Sequence, residues 1–271
     1  MTIAIEPKLE LNWTHIISLA VVHIGALCAL FPSNFNWAAI SLAIILHWVT
    51  GGLGITLGWH RLVSHRSFQT PKWVEYFLVF CGVLSGQGGV IHWVGLHRVH
   101  HQHSDQGVLD PHDSRRGFWW SHIGWMFYHC PALDTIDRCT KDIADDPVYK
   151  FFQNYFLPIQ IAFGLLLLLI GGLPFVVWAI FVRLALVYHC TWFVNSATHK
   201  FGYRTYETSD SSTNCWWVAL VTYGEGWHNN HHAFQYSARH GLKWWEIDLT
   251  WMTIQLLQSL GLATKVKLVQ K

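Results

Sequence analysis

Apolar residues gather in long unbroken runs along this chain. The first extends from about Trp13 to Phe31 and stops at Pro32-Ser33-Asn34; the second extends from about Phe35 to Leu57. A third, Phe156 to Ile170, runs into Gly171-Gly172-Leu173-Pro174, and a fourth continues from Phe175 to Val194. A helix crosses the hydrocarbon core with roughly 20 apolar residues. The pattern therefore predicts an all-α membrane protein with four transmembrane helices in two hairpins. We read residues 1–271 as a single domain: a first hairpin at about 13–57, a cytoplasmic or re-entrant section at 58–155, a second hairpin at 156–194 and a cytoplasmic helical cap at 195–271.

Two apolar stretches fit less simply. Trp73–Val94 is apolar enough to cross, but Gly82, Gly86, Gly88 and Gly89 weaken a helix, and Ser85 and Gln87 are polar. Basic residues flank it on both sides (Arg61, Arg66 and Lys72 before; Arg98, Arg115 and Arg116 after), and a single crossing would separate them. We expect a re-entrant or interfacial pair of short helices. Leu249–Leu262, with Gln255, Gln258 and Ser259, is expected to lie on the membrane as an amphipathic helix.

The distribution of charge orients the runs. Neither short turn carries Lys or Arg, and Arg183 is the one basic residue inside a run. By the positive-inside rule the N-terminus, the middle section and the C-terminus are cytoplasmic. The first ten residues, MTIAIEPKLE, are polar and suggest no cleavable signal peptide. Only 13% of residues are charged, about half the usual share for a soluble domain. The net charge of +2 argues against nucleic acid as a partner, since phosphate binding needs a dense basic face. The chain also holds 17 Trp and 19 His. Trp favours membrane interfaces, and neutral imidazole is the commonest metal ligand. Six scattered Cys without a CxxC pair fit neither a zinc knuckle nor a disulfide frame.

Three histidine clusters stand out: His60 and His65 (HxxxxH), His97, His100 and His101 (HxxHH), and His228, His231 and His232 (HxxHH). Residues at i, i+3 and i+4 share a helix face, so each HxxHH is expected to aim three rings at one point. The i, i+5 pair fits only if the backbone bends or its rings serve different metals. With four crossings and a re-entrant section, all three clusters fall on one side of the membrane. Eight imidazoles exceed what one zinc site uses and suggest two metal ions. A nitrogen-rich, thiolate-free set suits iron among other first-row metals. Glu225 and His228 form one Glu-x-x-His, but a carboxylate-bridged di-iron bundle needs two such motifs.

The boxes HRLVSH, HRVHH and HNNHH between two hydrophobic hairpins resemble the integral-membrane fatty-acid desaturases. The surrounding GWHRLVSHRSF, GQGG, HSD…DPH, GEGWHNNHHAF and SARHG are similar to the delta-9 branch, in particular its cyanobacterial acyl-lipid members. The resemblance implies two iron ions held by nine His, O2 as co-substrate, and no catalytic residue beyond the ligands. The ninth ligand falls in Asn195-Ser196-Ala197-Thr198-His199, making His199 a ligand and Asn195 a ligand through water. It further implies a cis double bond placed at the delta-9 position of saturated stearoyl or palmitoyl chains esterified in membrane glycerolipids. Ferredoxin is the expected electron donor, and the plasma or thylakoid membrane the expected location. Charged residues that precede box two in acyl-CoA members are replaced here by Val94-Gly95-Leu96, and Val90 stands where the family has Pro. An acyl-CoA delta-9 desaturase, or another membrane di-iron hydroxylase or ketolase, is the alternative.

Insertion of a double bond between unactivated methylenes asks the protein for placement: a dry apolar tunnel beside the metals. Trp59, Trp93, Trp192 and Trp227 are the candidate lining residues. Arg61, Arg66 and Arg98 are read as headgroup or redox-partner contacts. His92, His103 and His112 are candidates for orienting ligand rings, and the remaining His, His240 among them, as structural.

Overall fold

The computed structural model describes residues 9–130 and 135–270; the polar start of the chain up to residue 8 and residues 131–134 lie outside them. Helices joined by loops make up these residues, with isolated bridges and no strand among them. Three apolar helical runs are long enough to cross a membrane: Trp13–Leu30, Trp37–Ser64 and Pro147–His199.

Local chemistry sets where the runs begin. The Asn12 side chain accepts from the backbone of His15 and starts α1 (Trp13–Leu27). Asn36 accepts from Ala39 N and starts α2 (Trp37–His47). Such caps satisfy amides that a helix start leaves unpaired. α2 passes without interruption into a π-type helix over Trp48–Ser64. The second run therefore continues past residue 57 and carries His60 and Arg61 on its last turns. Tertiary packing holds this glycine-rich stretch helical: α3 (Lys72–Val83) lies antiparallel against it so closely that a Cβ on Gly54 would sit 2.4 Å from Gly82 N.

After α3 the chain turns at residues 84–89 and returns as α4 (Val90–His103), which delivers the second histidine cluster. The tip of this turn is clamped by Arg183. Its guanidinium is fully buried and donates to Leu84 O, to the Thr50 hydroxyl and to Ala179 O. A buried charge needs partners, and one of these three is the Leu84 carbonyl at the C-terminal end of α3, where a helix favours a cation.

Short helices α5 (Phe118–His122) and α6 (Ile136–Cys139) cross the middle section. α7 (Pro147–Val176) starts before residue 156 because Asp146 accepts from Val148 N and Tyr149 N and Pro147 fits a first turn. Within it Gly172 takes φ 70, a left-handed conformation that glycine adopts without strain. The chain doubles back there: a Cβ on Gly164 would lie 4.0 Å from Ile180 Cγ1, whereas sixteen residues of straight helix would separate them by about 24 Å. α8 (Arg183–Ser196) completes the return. α9 (Trp216–Val221), α10 (His228–Ala233) and α11 (Leu249–Ser259) follow.

Contacts at the ends fix the relative direction of the runs. Trp178 Nε1 donates to Asn34 O, joining the two reversals at one end. At the other end Asn12 N donates to Phe127 O, and Lys267 N to Ser67 O, so both termini of the described chain pack on the histidine-bearing section. α11 buries Thr250 and Ile254 and exposes Met252 and Leu256, with Leu260 exposed just after it. A Gly54→Ala substitution is expected to wedge α3 away from the π-type helix at a cost of about 1–3 kcal/mol. A lowered thermal midpoint in detergent checks this, with wild-type stability as the contrary result.

Candidate metal centre

The nine histidines converge in two groups. His60, His65, His97, His101 and His231 form one, His100, His199, His228 and His232 the other; within each, the ligand nitrogens all lie within 4.8 Å of one another. His60 and His65 meet because the backbone between them is π-type: His65 N donates to His60 O. An i→i+5 bond stacks residue i+5 over residue i, and this is the bend that the HxxxxH spacing required. Each HxxHH is divided between the groups, a correction to the expectation that each would aim at one point. His97 and His101, at i and i+4, stay together while His100 turns to the other group. His228 and His232 likewise stay together, and His231 crosses over.

The nitrogens of these rings are the best indication of what they hold. In the second group His100, His199, His228 and His232 each have a buried Nε2 with no hydrogen-bond partner. In the first group Nε2 atoms face one another: His65 and His97 at 2.8 Å, His60 and His231 at 3.1 Å, His231 and His101 at 3.0 Å. One proton at most can serve each such contact, which leaves bare lone pairs aimed at a common centre. Buried polar groups without partners are costly. A metal ion in each group would satisfy them, and the donor set, all nitrogen and no sulfur, fits first-row divalent ions such as iron.

Four carboxylates hold the outward nitrogens. His60 Nδ1 lies 2.8 Å from Glu225, His100 Nδ1 2.9 Å from Asp110, His232 Nδ1 2.7 Å from Asp210, and His199 Nδ1 3.5 Å from Asp105 and 3.1 Å from the Ser211 hydroxyl. Partners of this kind fix ring orientation and raise ligand basicity. Glu225 and the HSD and DPH motifs stand beside the boxes in sequence, whereas Asp210 lies in a loop with no motif. His240 was also missed: its ring stacks on His231 at 4.3 Å and its Nδ1 is 3.0 Å from Glu225. His112 packs on His100 at 4.2 Å.

Burial, reinforced by neighbouring rings, pushes His65, His97, His101, His228 and His231 well below the ordinary imidazole range. Burial lowers His112 to about 3, and it lowers His232 to about 4 against the pull of Asp210. For His100 the burial effect is outweighed by Asp110, and its pKa rises. Asp105, Asp110, Asp210 and Glu225 resist the upward effect of burial and are held below the carboxylate range by the imidazoles they touch and, for Glu225, first of all by Arg61.

A chamber opens beside both groups. His60 and His97 from one, His100 and His228 from the other, and Asn195 share its wall with Ile55, Val187, Val194 and Val221. Of the four tryptophans expected to line a tunnel, Trp93 does. It stacks on His97 and donates to Gln87, which in turn donates to Thr191. Trp59, Trp192 and Trp227 do not line it. A buried indole N–H seeks a partner, and those of Trp59 and Trp227 find Val79 O and Ile247 O; Trp192 stacks on Tyr188. Arg61 is a correction of another kind: fully buried, it bonds Glu225, Asp248 and Ala238 O and is no surface contact. Arg98 bonds Val63 O, Ser64 O, Cys139 O and Asp142, to which Arg66 also pairs.

The fatty acid desaturase family model matches residues 35–257. The sn-1 stearoyl-lipid 9-desaturase of Anabaena variabilis is 68% identical over 271 residues, 100% of this chain and 99% of that protein. That of a Synechocystis strain is 61% identical, covering 97% of this chain and 82% of its own length. An sn-2 palmitoyl-lipid 9-desaturase of a Nostoc strain is 52% identical, with 95% and 90% covered.

Two outcomes are expected. Asp210→Asn weakens metal binding in the second group about 10–100-fold, read by chelator competition. In the metal-free protein the low-pKa imidazoles take up protons on unfolding and not in the fold. Their stabilisation is present above about pH 6.5 and lost as pH falls toward about 4. His100 has the opposite sign and is outnumbered. Thermal midpoints should drop across that window; a flat profile contradicts the assignment.

Proposed function

The chain belongs to the fatty acid desaturase family, and from that premise we propose that it is an O2-dependent acyl-lipid 9-desaturase. It places a cis double bond in stearoyl or palmitoyl chains esterified in membrane glycerolipids. The observation that carries this reading is the apolar chamber whose wall takes rings from both histidine groups. The acyl-lipid names of the relatives and the uncharged Val94-Gly95-Leu96 before box two favour a lipid-linked chain over acyl-CoA.

His60, His65, His97, His101 and His231 would hold one iron, and His100, His199, His228 and His232 the other, with Asn195 acting through water. When bound, the two irons supply the O2 activation that removal of hydrogen from an unactivated methylene demands. The chain's own residues do the rest. Ile55, Val187, Val194 and Val221 offer a saturated chain an apolar wall and exclude water. Trp93, held by Gln87 and Thr191, gives that wall a fixed shape next to His97. Glu225, Asp110, Asp105 and Asp210 keep the ligand rings turned toward the centre. Electrons come from a separate protein, for which we propose ferredoxin.

The apolar runs make four crossings in two hairpins, with Pro147–His199 counted twice because the chain doubles back at Gly172. The basic residues gather at the histidine end, which we assign to the cytoplasmic face of the plasma or thylakoid membrane.

Expression in a host without desaturases, followed by lipid analysis by class and double-bond position, tests the reading. We expect delta-9 monounsaturated chains in glycerolipids first. Hydroxylated or ketonised product, or oleoyl-CoA ahead of any lipid change, would overturn it. His199→Ala is expected to abolish product and to lower bound iron from two per chain toward one; retention of both irons would remove His199 from the ligand set.

A further inference from the structure

One wall of the chamber belongs to neither histidine group. His47 on α2 sets Nδ1 2.6 Å from the Tyr223 hydroxyl and Nε2 3.7 Å from Cys190 Sγ on α8. Two helices and the loop after α9 thus meet in one polar contact, and all three residues line the chamber. The outer side of this contact is apolar. Ile45 of α2, Trp48 at the start of the π-type helix, Leu186 of α8, and Leu220 and Val221 of α9 are exposed. Val221 is at once 39% exposed and part of the chamber wall, so a single layer of side chains separates the chamber from the lipid side.

Tyr223 is unusual in two further ways. Its φ is 58, a left-handed backbone that a bulky residue holds only where surrounding structure enforces it. Its ring lies over Gly51, where a Cβ would sit 3.3 Å from Cε2, so no side chain beneath it blocks movement. Tyr223, His47 and Cys190 are partly buried polar groups in the chamber wall, and polar groups within a membrane are expensive and usually functional.

We propose that Tyr223, latched to His47, is the point where the acyl chain of a bilayer glycerolipid enters the chamber sideways from the membrane. The inference rests on the acyl-lipid reading above. A lipid-linked chain cannot leave its headgroup behind. Entry between α2, α8 and α9 lets the headgroup stay at the membrane surface, beside the exposed Trp216, while the chain slides in beneath it. Swinging the Tyr223 ring off Gly51 and breaking one hydrogen bond opens the wall without disturbing any histidine ligand. The other conceivable mouth is the polar pocket lined by Arg115, Arg116, Trp120 and Tyr128 on the histidine-bearing end.

Photolabelling separates the two. The iron-loaded enzyme is placed in phosphatidylcholine vesicles containing phosphatidylglycerol with a diazirine on its headgroup. Adducts are expected on 48–51 and 216–223; adducts confined to 107–130 would overturn the proposal. Tyr223→Phe keeps the ring and removes the latch, and is expected to raise kcat/KM for bilayer lipid several-fold at unchanged iron content. An unchanged kcat/KM would count against the latch. Wild-type turnover of unlabelled lipid in the same vesicles is the reference: its absence would defeat the acyl-lipid reading, whereas turnover with labels elsewhere would defeat only the entrance.

Discussion

Everything in this protein is arranged around the cost of burying bare imidazole nitrogens together. Nine rings meet where water is scarce, and the Nε2 atoms that face inward have no hydrogen-bond donors except each other. The surrounding charge makes the same demand. Four buried carboxylates touch ligand rings, Asp248 adds a fifth, and Arg61 returns one positive charge. Net negative charge is left around the rings, and the two metal ions proposed above would satisfy both the lone pairs and that charge. The carboxylates stay ionised despite burial because of the imidazoles they touch and, for Glu225, Arg61, while burial keeps most of the rings neutral and available as ligands.

Much of this was legible in the residue pattern, and the parts that were not share a cause. The clusters pointed to metal binding because histidine is rarely concentrated in this way. Their division between two centres was hidden, since spacing gives the face of a helix and not where two centres sit relative to that face. For His60 and His65 the deciding fact is a π-type backbone, which depends on α3 packing against Gly54 and not on any local signal. Asp110 and Asp105 stand close to box two and were within reach of sequence reasoning. Asp210 reaches His232 from a loop 22 residues away, and only the fold brings them together. Trp59 and Trp227 stand beside boxes in the sequence, yet their indole N–H groups bind backbone carbonyls and neither ring lines the chamber.

Three apolar helical runs follow the hydrophobic pattern, but their ends do not. Helix ends here are set by Asn12, Asn36 and Asp146, single capping side chains outside the apolar pattern. The second run had no such stop and continued into the site. That continuity matters chemically, because one continuous helix carries both the exposed apolar residues of α2 and His60, with His65 directly after its end. Arg183 looked like a misplaced charge in the sequence. In the fold it replaces the missing continuation of α3, binding the carbonyl of Leu84 where the chain turns back toward the histidines.

Arg61 raises the question of why a fully buried guanidinium sits next to a ligand. Buried ion pairs add little net stability, since the desolvation of both partners offsets their attraction. The value of this one is geometric. Arg61 neighbours His60 on the long helix and is bound by Glu225, Asp248 and Ala238 O, from three separate segments of the C-terminal region. Asp248 in turn accepts from His240 N and from Trp251 N at the start of α11. An apolar pair in the same place would tolerate sliding by a fraction of an ångström. A guanidinium with fixed directions does not, so the ring of His60, the Glu225 that orients it and the start of α11 are held in one register. The desaturation proposed above must choose one methylene pair along a featureless chain, and it would need that rigidity around the rings that hold the metals.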